Sequence, residues 1–123
     1  MSKRVLIVDD ALFMRAMLRD IFESADWQIV GEADNGEQAI AAYNTHQPDL
    51  VTMDIVMPEL GGIDALKNIL ADNPAARIIV CSALGQKNLI LEAINAGARD
   101  FIVKPFKSAQ VLEVAERVVA EQV

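Results

Sequence analysis

Four positions carry side chains that could do chemistry together: Asp9, Asp10, Asp54 and Lys104. Each closes a short apolar run. "RVLIVDD" ends in the acid pair, "DLVTMD" ends in Asp54, and "DFIVKP" ends in Lys104-Pro105. If these runs are parallel strands, their C-terminal ends share one edge of a sheet, where such sheets form a ligand crevice. Three acids and one amine gathered there would hold a hard cation and a phosphoryl group. Mg²⁺ takes near-octahedral oxygen ligands, commonly one or two carboxylates with waters and phosphate oxygens. A bound cation relieves the repulsion among the acids. One carboxylate can then act as a nucleophile and become an aspartyl phosphate. Phosphoryl transfer asks mainly for positioning and charge neutralisation. Lys104 would pair with the transferred oxygens, and Ser82, at the end of "IIVCS", could donate a hydrogen bond to them.

Each of these residues also has a plainer use. Asp9-Asp10 suits the N-cap of a following helix, and the pair alone does not decide between cap and ligand. Asp54 alone could be a polar strand end, but Met57-Pro58 and Gly61-Gly62 follow it closely and describe a tight, shaped loop. Lys104 alone could be a solvated lysine. Pro105 after it shapes the turn, and an X-Pro bond can be cis at modest cost.

The elements that must position these residues follow from the period of the apolar side chains. Strand-like runs are Arg4–Val8, Gln28–Glu32, Leu50–Met53, Arg77–Cys81 and Phe101–Val103. Helical spacing marks Ala11–Ser24, Gly36–His46, Gly62–Ala71, Gln86–Ala96 and Ser108–Glu121. The pattern is (βα)5, an α/β fold with right-handed crossovers and a parallel five-stranded sheet covered on both faces. The runs "VLIV", "LVTM" and "IIVC" lack polar alternation, as strands buried on both sides do. Asn35-Gly36, Gln47-Pro48, Asn73-Pro74 and Ala96-Gly97 punctuate the elements. No linker, repeat or low-complexity segment interrupts residues 1–123, so one domain without an output module is expected.

Composition narrows the class further. The chain has 123 residues and a formal net charge of -7 with no basic run, which argues against unaided nucleic-acid binding. No stretch approaches the roughly 18 apolar residues of a membrane span. "MSKRVLIVDD" reads as a buried strand and not as a signal peptide, so a cytoplasmic protein without membrane insertion is expected. The single cysteine, Cys81, lies in an apolar run and reads as a buried thiol. His46, Trp27, Phe22, Met14 and Met17 read as packing residues.

"VLIVDDALFMR", "DLVTMDIVMPELGGIDAL", "IIVCSALGQ" and "AGARDFIVKPF" together resemble a response-regulator receiver domain, over essentially the whole chain. The ordered set DD, D, S, KP is more specific than any one piece, and the single-domain chemotaxis regulators are the most similar members. The resemblance implies a flavodoxin-like strand order 2-1-3-4-5. It places the phospho-acceptor on Asp54 and the metal acids on Asp9 and Asp10. Asp54 and the backbone carbonyl of Val56 would be the further Mg²⁺ ligands. Ser82 would be the switch hydroxyl, Lys104 the site lysine and Phe101 the rotating aromatic switch, where chemotaxis members often carry Tyr. Phe101 as simple core is the alternative. The family tunes phosphoryl hydrolysis at the positions of Val56 and Leu84. Two apolar side chains there would shield the acyl phosphate and slow its loss. Gly61-Gly62 replaces the frequent Asp-Gly or Asn-Gly and would loosen the loop slightly.

The implied activity is that of a phosphorylation-switched signalling protein, not a turnover enzyme, although it assists its own phosphorylation and dephosphorylation. Its donor would be a sensor histidine kinase of chemotaxis, its target the flagellar switch protein, with a phosphatase as a possible further partner and the protein a monomer. Gln86, Lys87, Asn88, Glu92, Asn95 and Lys107 are candidate surface residues of the output face. The alternative is a phosphorelay intermediate that passes phosphate to a histidine phosphotransfer domain. A metal-dependent phosphatase would need a substrate pocket and usually a cap domain, for which the chain has no room. A flavin-binding protein of similar fold is opposed by the acid cluster.

Overall fold

The computed structural model describes residues 3–121. Strands and helices alternate: β1 (Arg4–Val8), α1 (Leu12–Ser24), β2 (Gln28–Ala33), α2 (Gly36–His46), β3 (Leu50–Asp54), α3 (Gly62–Asp72), β4 (Ile78–Ser82), α4 (Lys87–Ala96), β5 (Asp100–Val103) and α5 (Ser108–Ala120). Every strand pair is parallel, and the order is β2-β1-β3-β4-β5. The expected doubly wound sheet is present.

Successive residues of β1 serve opposite faces, as the strand period requires. Val5 and Ile7 pack with Leu18 and Phe22 of α1 and Val111 and Val118 of α5. Leu6 and Val8 pack with Tyr43 of α2 and Leu66 and Ile69 of α3. Two apolar faces explain why the central runs carry no polar alternation. Phe22 and Trp27 meet edge-on with ring centres 5.0 Å apart. Trp27 Nε1 donates to Glu116 Oε1 at 3.0 Å, which ties the start of β2 to α5. Met14 and Met17 are half-buried against the same layer, and His46 lies beside Gly31. Burial, with Asp54 nearby, raises the Cys81 pKa far above its ordinary value, so Cys81 stays a buried thiol.

The helix ends use the punctuation residues. Asn35 Oδ1 accepts from the Gln38 N–H at 2.9 Å and caps α2. Gly97 closes α4 in the left-handed region, with φ 119. No helix among the described residues is long and apolar enough to cross a membrane. The chain leaves β1 for β2 on one side, then crosses to set β3 on the other. The loops after β1 and β3 therefore diverge, and a crevice opens between them at the C-terminal edge.

Candidate functional site

The strand register brings the candidate residues together. Val8 lies opposite Met53, Asp54 opposite Cys81, and Ser82 opposite Val103. Asp9, Asp10, Asp54, Ser82 and Lys104 thus meet at one edge of the sheet. Carboxylate oxygens of Asp9, Asp10 and Asp54 lie within 4.8 Å of one another. Lys104 Nζ donates to Asp54 Oδ1 at 3.3 Å. The same ammonium lies 3.0 Å from Asp9 Oδ2 as an ion pair without hydrogen-bond alignment. The Lys104-Pro105 peptide is cis.

Neither acid of the pair caps α1. That helix starts after Ala11 and has no side-chain cap. Asp9 Oδ1 instead accepts the Ala11 N–H at 2.9 Å, and the Asp9 N–H donates to the Ala33 carbonyl at 3.0 Å. Asp9 is 1% exposed, whereas Asp10 faces solvent.

Charge explains what the crevice needs. Asp54 is 6% exposed. Burial and the Asp9 carboxylate push its pKa from 3.8 up to about 6, against the pull of Lys104. Burial also works against the Lys104 ammonium, but Asp9 and Asp54 outweigh it and hold its pKa above the ordinary value. One ammonium therefore faces three carboxylates. An all-oxygen, net negative donor set of this kind fits a hard divalent cation such as Mg²⁺. Ser82 Oγ is buried with no hydrogen-bond partner. A buried hydroxyl in that condition is unfavourable, and it is a donor without an acceptor.

The family model of the response regulator receiver domain matches residues 5–116. The chain belongs to that family. It is 57% identical over 118 residues to the chemotaxis protein CheY of Thermotoga maritima, covering 96% of this chain and 98% of the relative. It is 55% identical to CheY of Bacillus subtilis, covering 95% and 98%. A chain in the crystal structure of a CheX–CheY–BeF3–Mg²⁺ complex from Borrelia burgdorferi superposes with a TM-score of 0.92 at 40% identity, covering 97% of this chain and 90% of that one. The receiver domain described here is thus CheY-like in fold and sequence, with its acidic cluster in the crevice of a receiver sheet.

Side-chain exposure around this edge of the receiver domain bears on the sequence expectations. Val56 is 55% exposed and Leu84 is 81% exposed, so both apolar side chains, two residues past Asp54 and Ser82, meet solvent. Phe101, on β5, is 41% exposed, which goes against the alternative of a simple core residue. Gln86 is half-buried rather than a free surface side chain, because its Oε1 accepts the Ala83 N–H at 2.7 Å. Arg15, which the sequence did not single out, donates from Nη1 to the Asp9 carbonyl at 2.7 Å.

Gly61 and Gly62 are unlike each other. The Gly62 N–H donates to the Ile55 carbonyl at 2.9 Å, and a Cβ at Gly62 would lie 1.9 Å from the Asp54 carbonyl oxygen. A Cβ at Gly61 would meet nothing nearer than 3.5 Å, and Gly61 holds the N-cap position of α3 with φ -74. Gly61→Asp should therefore stabilise the protein by about 0.5 kcal/mol, through a cap and a stiffer unfolded chain. Gly62→Ala should cost about 2 kcal/mol or more, because the backbone of Asp54 itself must move. Urea unfolding of the two variants checks both signs, and equal effects would contradict this account of the loop.

Proposed function

We propose that Asp54 accepts a phosphoryl group from a phospho-histidine of a sensor kinase in a Mg²⁺-dependent transfer, and that the aspartyl phosphate switches binding to the flagellar motor switch. The observation that carries this reading is a buried carboxylate, Asp54, set against two further acids and the Lys104 ammonium. Similarity to chemotaxis relatives supports the chemotaxis output.

Asp9, Asp10, Asp54 and the Val56 carbonyl would hold Mg²⁺, which supplies charge neutralisation for the transferring group. An Asp54 carboxylate oxygen forms the new P–O bond as the P–N bond of the donor breaks and its imidazole leaves. Lys104 already faces Asp54 and offers its charge to the phosphoryl oxygens. The unpartnered Ser82 hydroxyl donates to one of them. Movement of Ser82 toward Asp54 vacates space into which Phe101 turns, and the populations of a two-state element shift.

Two exposed apolar groups support the partners. Leu12, Phe13, Val56 and Leu84 are exposed within a few residues of Asp10, Asp54 or Ser82, where a kinase domain would dock over the crevice. Leu91, Ile94 and Phe101 are exposed on α4 and β5, where the target would bind. The protein acts in this reading as a cytoplasmic monomer, with a phosphatase to end the signal.

The test of the acceptor step uses a small acyl phosphate donor and mass spectrometry. One phosphoryl group should appear with Mg²⁺, vanish with a chelator, and vanish in Asp54→Asn. Equal labelling in the variant would remove Asp54 from the acceptor role. Val56→Asn and Leu84→Glu bear on the lifetime of the phosphoryl group. Each places a polar group able to orient water near the acyl phosphate, so each should speed its loss several-fold, on the order of a single general-acid–base contact at most. Decay rates unchanged by both would show that these positions do not govern hydrolysis here.

A further inference from the structure

Arg15 lies on the second turn of α1 and is half-buried. Its guanidinium is held on two sides. Nη1 donates to the Asp9 carbonyl at 2.7 Å, and Nε donates to Glu32 Oε1 at 3.0 Å. Glu32 belongs to β2, and its second oxygen takes the Arg19 Nε–H at 3.0 Å. A carboxylate shared by two guanidiniums is firmly placed, because charge-assisted hydrogen bonds are short and directional. Glu32 thus braces Arg15, and Arg15 holds one backbone oxygen of the metal-acid pair.

That oxygen matters because a peptide unit is planar. The Asp9 carbonyl and the Asp10 N–H belong to one plane, so fixing the carbonyl fixes where the Asp10 Cα begins. Asp9 has other anchors, at Ala33 and Ala11. Asp10 is exposed, and its carboxylate takes no hydrogen bond from the described residues. Its placement within 4.8 Å of the other acids depends on the backbone that carries it.

We propose that Arg15 is a positioning residue for cation binding: braced by Glu32, it sets the Asp9–Asp10 peptide and so aims Asp10 into the crevice. The inference rests on the Mg²⁺-binding reading above. It makes a prediction whose sign differs from that of simple electrostatics. Removing a positive charge beside a cation site should tighten cation binding by Coulomb's law. Removing a positioning contact should weaken it, by about tenfold on the scale of outer-shell contacts to metal ligands.

The experiment is a calorimetric Mg²⁺ titration of the full chain, its Arg15→Met variant and its Arg19→Met variant, each checked for folding by circular dichroism. Arg19→Met removes a guanidinium from the same carboxylate without touching Asp9. The expected result is a roughly tenfold weaker Kd in Arg15→Met and a near-unchanged one in Arg19→Met. With an acyl phosphate donor, half-saturating Mg²⁺ should rise in step while the rate at saturating Mg²⁺ is kept. If Arg15→Met does not fold, Arg15→Gln takes its place with the same criterion. Affinity equal to or tighter than that of the unaltered protein would overturn the role of Arg15 alone. Failure of the unaltered protein to bind Mg²⁺ would overturn the metal reading and this inference with it.

Discussion

Asn at position 54 should abolish phosphoryl uptake and at the same time make the metal-free protein more stable above pH 6. The loss of uptake follows because the amide cannot act as the nucleophile. The gain in stability follows from linkage. Burial and Asp9 raise the folded pKa of Asp54 from 3.8 to about 6. Below 3.8 the carboxyl is protonated in the folded and the unfolded chain, and the site carries no penalty. As pH rises through 6 the folded carboxylate must ionise, and the advantage of the protonated form is lost. The full penalty is then present, on the order of 2–3 kcal/mol by the conversion of pKa difference to free energy. Asp54→Asn removes that penalty but also the Lys104 attraction, so the net gain is smaller. Urea unfolding without metal at pH 8 and pH 4 should show a gain at the first and little at the second. Mg²⁺ should stabilise the unaltered protein and close the gap, because a ligand bound only by the folded state adds to stability. A pH-independent difference would contradict the assignment of strain to Asp54.

Lys104→Met has the second large effect, and its parts point in opposite directions. The variant leaves Asp9 and Asp54 without their shared counter-charge. Breaking a buried pair from one side is expensive, so the metal-free protein should lose about 2–3 kcal/mol at pH 8. The Asp54 pKa should rise further above 6, because the pull of Lys104 is gone. Mg²⁺ should bind more tightly, since a competing cation has been removed from the same oxygens. Phosphoryl transfer at saturating Mg²⁺ should nonetheless fall by about a hundredfold, the cost of losing one preorganised charge at the developing oxyanion. Metal affinity and transfer rate falling together would mean that Lys104 holds the fold and does not serve the reaction.

The fold was legible because its signals are local. Apolar period, breakers and caps are read within a few residues, and the element ends shift by a residue at most from their expected places. The strand order came from family resemblance, since strand pairing is a tertiary matter. The crevice was legible because Asp9, Asp54, Ser82 and Lys104 all mark strand ends, and parallel strands align those ends. What stayed hidden depends on direction. Asp9 and Asp10 look alike, yet one is buried and the other exposed, because consecutive side chains leaving a strand point opposite ways. Gly61 and Gly62 also look alike, and only packing shows that one lies on the Asp54 carbonyl. Arg15 reaches Asp9 from the next element and is braced from β2, a contact no spacing rule displays. The shielding expected of Val56 and Leu84 concerns the acyl phosphate, and the exposure of both side chains does not by itself set how water reaches it.

The most direct test of the account measures output as a function of the state of Asp54. The purified protein is titrated against the N-terminal peptide of a flagellar switch protein, once with Mg²⁺ alone and once with Mg²⁺ and beryllofluoride as phosphoryl mimic. The account predicts clearly tighter binding with the mimic, and loss of that gain in Asp54→Ala. Equal binding in both series would contradict a switch driven from Asp54. No binding in either would contradict the motor-switch output and direct the same titration to a histidine phosphotransfer domain.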